Sequence, residues 1–203
     1  MLPALFELPD LPEPWPLFLF LHGKGERGPG GDDLDRVRQW GPPKQIAEGA
    51  SIPGLLVSPQ CPLDRFWRTD EVLALLDDVQ GRYPIDRRRV YLTGLSMGGT
   101  GSWDLLAAAP DRFAAAFIIC GRTDLEQAPK ITDVPIQVFH GALDPIIPLS
   151  DSVTMVDAVR RAGGQVDLTV YPEAAHVEAW VQAYGAEGGR RWHTWLMQHT
   201  REV

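Results

Sequence analysis

The segment Val90–Pro110, VYLTGLSMGGTGSWDLLAAAP, decides the fold. Val90–Thr93 is an apolar run of strand length, and Ser102–Ala109 reads as an apolar helix that stops at Pro110. Between them Gly94-Leu95-Ser96-Met97-Gly98 spells G-x-S-x-G in the strand–turn–helix setting that gives the motif meaning. A serine hydroxyl is a weak nucleophile unless a turn holds it clear of the backbone beside a base. The flanking glycines remove side chains that would collide with neighbouring strand and helix. Six serines in a chain with 20 Gly give about 0.06 such matches by composition alone, so the motif is not an accident of glycine content.

Working outward, further strand-like apolar runs recur at Leu17–Leu21, Leu55–Val57, Ala116–Cys120, Ile136–His140 and Val166–Tyr171. Runs that are apolar on both faces predict buried parallel strands. Helical patterns lie between them. Thr69 reads as an N-cap ahead of Val72, Leu75, Leu76 and Val79, which fall at i, i+3, i+4 and i+7. Val153, Val156 and Val159 line another helix that closes at Gly163-Gly164, and Trp192, Trp195 and Leu196 share a helical face near the end. This alternation predicts an α/β fold, a mostly parallel sheet with helices on both faces. Chemistry then belongs on the loops beyond the carboxyl ends of the strands.

Those loops hold the partners a serine nucleophile needs. Ile136–His140 runs into Gly141-Ala142-Leu143-Asp144-Pro145, and Val166–Tyr171 runs into Pro172-Glu173-Ala174-Ala175-His176. Ser96, Asp144 and His176 therefore follow three different strands in the order nucleophile, acid, base. Asp124, also after a strand, is a rival acid. Asp151 reads as a helix-start residue, His140 as a packing or hydrogen-bonding neighbour of the acid loop, and His193 and His199 as helix-face residues. Two oxyanion donors are expected: the backbone N–H of Met97 and, from the loop His22–Gly28, the backbone N–H of Lys24. That loop lacks the spacing of a phosphate-binding G-x-x-x-x-G-K-[ST] motif.

The 203 residues suit one domain, 1–203, with enough length for a core without staples. A net charge of −8 argues against nucleic acid or an anionic membrane as partner, since phosphate contacts need a basic face. The clusters Arg87-Arg88-Arg89 and Arg190-Arg191 read as solvated faces. Cys61 and Cys120 are too few for a disulfide framework and lack metal-ligand spacing, so buried free thiols are expected. No apolar run reaches the ~20 residues of a membrane span, and the first residues lack the pattern of a signal peptide. A cytoplasmic location is the expectation. Oligomeric state is left open.

The segments LFLFLHGKGERG, VSPQCP, RRRVYLTGLSMGGTGSWDLLAAAPDRFAAAFIICG, VPIQVFHGALDPIIP and YPEAAH resemble the carboxylesterase/phospholipase-like hydrolases, especially the branch labelled predicted peptidases and related to dienelactone hydrolase-like esterases. The resemblance runs from about Pro16 to Trp195. It implies an α/β-hydrolase fold and serine carboxylester hydrolysis without cofactor or metal, through nucleophile Ser96, acid Asp144 and base His176. The dienelactone hydrolase group carries Cys at the nucleophile position, so Ser96 points away from that activity. The family's sheet order also puts the strands ending near Cys61 and Cys120 roughly 14 Å apart, at ~4.8 Å per strand, beyond disulfide reach.

This chain departs from the family pattern at Lys24, which charges the pocket rim, and at Gly121-Arg122-Thr123-Asp124, which brings a cation near the site. Trp180 falls four residues after His176, farther than is usual, and the first fifteen residues leave room for one leading strand. Fifteen residues from Cys120 to Pro135 are too few for a lid domain. An open cleft for short-chain or bulky exposed esters follows, with Trp67 and Trp180 as substrate-binding residues. The alternatives are a peptidase or amidase with the same three residues, or a lysophospholipase or thioesterase.

Overall fold

The computed structural model describes residues 1–185 and 192–202. The expected basic face at Arg190-Arg191 lies outside the described residues. Among the described residues seven strands form one sheet: β1 (Ala4–Glu7), β2 (Trp15–Leu21), β3 (Leu55–Pro59), β4 (Ile85–Leu95), β5 (Ala115–Ile119), β6 (Ile136–Gly141) and β7 (Val166–Tyr171). Their order is β1-β3-β2-β4-β5-β6-β7; β1 runs antiparallel to β3 and the other pairs are parallel. The helices are α1 (Gly41–Ala47), α2 (Thr69–Arg82), α3 (Met97–Ala108), α4 (Leu149–Arg161), α5 (His176–Tyr184) and α6 (Trp192–Leu196).

The period-two alternation of each strand divides the core between the two sheet faces. Leu17, Leu19 and Leu21 of β2, Val90 and Leu92 of β4, and Ala116 and Ile118 of β5 meet the buried stripes of α2, α3 and α4. Their alternates Phe18, Phe20, Tyr91, Leu95, Phe117 and Ile119 meet Ala179, Trp180, Ala183 and Tyr184 of α5 and Trp192 and Leu196 of α6. Each fully buried Leu or Phe contributes about 1.5–3 kcal/mol relative to exposure. Burial on both faces favours apolar residues at successive positions, which is why β2 and β5 read as unbroken runs.

Several local expectations are corrected. Thr69 is the first helical residue of α2 rather than its cap; the cap position is Arg68, in extended backbone with no side-chain cap bond. The buried stripe of α4 is Ser152, Met155, Val156 and Val159, while Val153 faces solvent. β7 is not buried on both faces: Asp167, Thr169 and Val170 are exposed because an edge strand has one neighbour. β4 starts earlier than its apolar run, at Ile85, and Arg87 and Arg88 are exposed on it as a solvated face. The 3-10 segment Gly31–Gln39 and helix α1 carry no clear periodic signal in sequence. Pro42 and Pro43 lie in the first turn of α1, where a missing N–H costs nothing.

Candidate active site

Ser96 sits between β4 and α3 with φ 55° and ψ −119°, a left-handed backbone that costs a non-glycine residue about 1–3 kcal/mol. Its N–H donates to Ile119 O of β5 at 2.9 Å, which helps hold the turn. A Cβ added at Gly98 would stand 1.8 Å from Leu21 O, so α3 can approach the end of β2 only with glycine there. The G-x-S-x-G spacing is thus a packing requirement of this corner.

His176, the first residue of α5, lies with Nε2 2.8 Å from Ser96 Oγ and Nδ1 2.5 Å from Asp144 Oδ2. Asp144 follows β6. Its Oδ1 accepts the N–H groups of Ile146 (2.8 Å) and Ile147 (3.0 Å), which fix the carboxylate from its own loop. Burial pushes this carboxyl up, but the N–H of Ile147, the His176 ring and the N–H of Ile146 more than offset it, and its pKa lies below the usual carboxylate range. Asp144 is therefore ionised at neutral pH, facing the imidazole. In this arrangement the imidazole can take the Oγ proton while the carboxylate compensates the resulting charge.

His140 is fully buried behind the acid. Its Nε2 donates to Ile147 O at 2.9 Å and lies 3.3 Å from Asp144 Oδ2, and its Nδ1 is 2.7 Å from Ser152 Oγ. It ties the acid loop to the first turn of α4. Cys120, with Sγ in the same cluster as His140 and Asp144, is the third member of a group spaced closely enough for a metal among the described residues. The other two already spend their donor atoms on hydrogen bonds, and burial pushes the Cys120 thiol up to about 12, away from the thiolate a metal needs. Cys61 and Cys120 are both buried and free, as expected.

The loop after β2 runs beside the nucleophile: a Cβ on Gly23 would meet Ser96 Cβ at 3.7 Å. Lys24 is exposed, and its carbonyl accepts Arg27 Nε at 3.1 Å. Met97 opens α3, where first-turn N–H groups have no partner within the helix. Gln60 clamps the loop from β3, accepting from Gly30 N–H at 2.8 Å and donating to Glu26 O and Asp33 O at 3.0 and 2.8 Å. Sequence reading passed over Gln60; a polar residue at the end of an apolar strand was the available signal.

The two tryptophans have different surroundings. Trp180 is buried with its ring edge-on to His176, centroids 4.8 Å apart, and edge-on to Trp40 at 5.7 Å. Trp40, missed in sequence, joins it in lining a cleft of about 170 Å³ with Lys44, Gln45, Val181 and Tyr184. Trp67 is half-buried, lies against Gly101 of α3 and donates its indole N–H to His22 O at 3.1 Å, so its polar edge braces the loop. Asp124 caps the 3-10 segment Leu125–Lys130 by accepting Glu126 N–H at 3.0 Å. Arg122 is exposed, and its N–H meets Thr100 Oγ1 at 3.3 Å.

Comparison with known proteins follows the same lines. The family described as "Dienelactone hydrolase family" matches residues 65–186. A protein named "Putative esterase NocK" from Nocardia uniformis subsp. tsuyamanensis is 29% identical over 195 residues, covering 90% of this chain and 56% of that protein. A crystal structure of a thermostable esterase is 30% identical with TM-score 0.80, covering 98% of this chain and 59% of that one. A "Putative Dienelactone Hydrolase" structure from Klebsiella pneumoniae has TM-score 0.72 at 22% identity, covering 97% and 93% of the two chains, and shares the fold. This chain thus spans a little over half the length of NocK and of the thermostable esterase. The sheet order, the helices on both faces and these neighbours are those of the α/β-hydrolase fold. Between β5 and β6 it carries only the short 3-10 segment, with no lid among the described residues. No helix among the described residues is long and apolar enough to cross a membrane.

Proposed function

The chain belongs to the dienelactone hydrolase family, and from that premise we propose that residues 1–203 form one catalytic domain, a serine carboxylester hydrolase. The observation that carries this reading is the chain of hydrogen bonds from Ser96 Oγ through His176 to Asp144. His176 Nε2 takes the Oγ proton as Ser96 attacks the ester carbonyl, and Asp144 holds the proton of Nδ1 so that the lone pair of Nε2 faces the nucleophile. The N–H groups of Met97 and Lys24 receive the oxyanion. His176 then protonates the leaving alcohol and frees the acyl-enzyme, and a water activated by the same imidazole releases the acid and restores Ser96.

Short-chain or bulky exposed esters suit this site, because the segment between β5 and β6 supplies no cover for a long acyl chain. Trp180, on the wall between His176 and the Trp40 cleft, supports a substrate-side role better than Trp67 does, whose indole N–H is spent on the loop.

Hydrolysis of p-nitrophenyl acetate, butyrate, octanoate and palmitate by the wild type and Ser96→Ala tests the reading. The expected result is fastest turnover of the short esters and none above background in Ser96→Ala. A preference for palmitate would overturn the open-site part. Turnover that survives Ser96→Ala would overturn the mechanism.

A further inference from the structure

Glu26 is 2% exposed, and no hydrogen-bond donor reaches its Oε2 among the described residues. A buried carboxylate oxygen that no donor reaches is costly and calls for a cause. Its surroundings supply one. His22 Nδ1 lies 3.6 Å from that oxygen, and the His22 ring is fully buried. On the far side of the ring, Nε2 faces the backbone N–H of Cys61 at 2.9 Å. An N–H can only donate, so Nε2 is the bare nitrogen and the ring proton sits on Nδ1. That proton is given to Gly23 O at 2.6 Å. The Glu26 carboxyl oxygen beside Nδ1 favours the same tautomer.

Gly23 C=O and Lys24 N–H belong to one peptide unit. In a trans peptide the two bonds point in opposite directions and the plane turns as a whole. Holding Gly23 O against His22 therefore fixes the direction of the Lys24 N–H. Gly23 has no side chain to resist rotation of this plane, so the His22 bond supplies what the residue itself does not. We propose that His22 and Glu26 are positioning residues that aim the Lys24 N–H at the developing oxyanion. Trp67, donating to His22 O at 3.1 Å, holds the preceding peptide in the same register. The inference rests on the esterase reading for its meaning but has its own observable.

Three lysines in the chain make that observable clean: 15N-lysine labelling gives three backbone amide signals, at Lys24, Lys44 and Lys130. His22→Phe keeps the ring and removes the donor, whereas His22→Asn puts an N–H near the position of Nδ1. Glu26→Gln exchanges the carboxyl for an amide of the same shape. With p-nitrophenyl butyrate, His22→Phe is expected to lose about 100-fold in kcat with little change in KM, since the interaction matters only in the transition state. Affinity for phenylboronic acid, which forms a tetrahedral adduct on serine, falls in parallel. His22→Asn recovers most of both losses, and Glu26→Gln lies between. The Lys24 amide signal moves on boronate binding in the wild type and His22→Asn, and not in His22→Phe.

Unchanged kcat in folded His22→Phe, or a Lys24 signal identical to wild type, would overturn the proposal. Should His22→Phe fail to fold, as thermal melting would reveal, Glu26→Gln decides it through the same shift and kcat. If the wild type turns over no ester, the functional reading fails separately. The free-state Lys24 signal then still decides: displaced in His22→Phe and restored in His22→Asn, the positioning stands; unmoved, it falls.

Discussion

His176 Nε2 stands 2.8 Å from Ser96 Oγ across 80 residues of chain. The approach is made by two strained or terminal positions meeting beyond the carboxyl ends of the strands. Ser96 occupies a left-handed turn after β4, and His176 opens α5 after β7, the edge strand. Between them lie β5 and β6, and Asp144 reaches in from the end of β6. Three loops from three strands thus converge on one point because parallel strands end on the same side.

Asp144→Asn is expected to lower kcat by about 10⁴-fold while KM changes little, because an amide favours the wrong imidazole tautomer. The same substitution carries a pH signature in stability. The folded Asp144 carboxyl lies below the unfolded value of about 3.9, so its contribution is fully present above that value and is lost as pH falls through the lower folded one. Urea melts should show Asp144→Asn less stable than wild type at neutral pH, with the gap closing as pH falls below the unfolded value of about 3.9. A constant gap would mean that the carboxylate charge adds nothing.

His140→Leu removes the donor to Ile147 O and the N–H beside Asp144 Oδ2. Loosening the acid by a fraction of an ångström should cost about 10- to 100-fold in kcat. His140→Gln, whose amide nitrogen reaches the place of Nε2, should restore much of it, as steady-state kinetics on a short ester would record. Equal loss in both would point to packing instead.

Gly98→Ala places a Cβ 1.8 Å from Leu21 O, a contact that backbone cannot relieve. It should cost on the order of 4 kcal/mol or more, or abolish soluble expression. Gly25→Ala, with nothing within 4 Å of the added Cβ, should change the urea midpoint by less than about 0.5 kcal/mol equivalent.

Burial pushes the thiols of Cys61 and Cys120 up to about 11 and about 12, so thiolate is scarce at mildly alkaline pH. Native protein should react with Ellman's reagent only as fast as it unfolds, and release two equivalents after denaturation. Rapid labelling of either thiol in the native state would contradict their burial.

Strand runs, the G-x-S-x-G turn and the order of Ser96, Asp144 and His176 were legible in sequence because each is a local signal. Apolar runs record burial on both sheet faces, and the glycines record close approach of α3 to β2. Other features left no local mark. Helix α1 hides behind Gly-Pro-Pro, and the edge position of β7 depends on what lies beside it. Trp40 and Gln60 are distant in sequence from the partners they serve. The pairing of the buried Glu26 with His22, and the direction in which Gly23 O is held, belong to this second class. Sequence determined which groups could perform the chemistry, since spacing and residue type suffice for that. Only tertiary structure decided how they are oriented, because orientation comes from hydrogen bonds such as Cys61 N–H to His22, made between segments 39 residues apart.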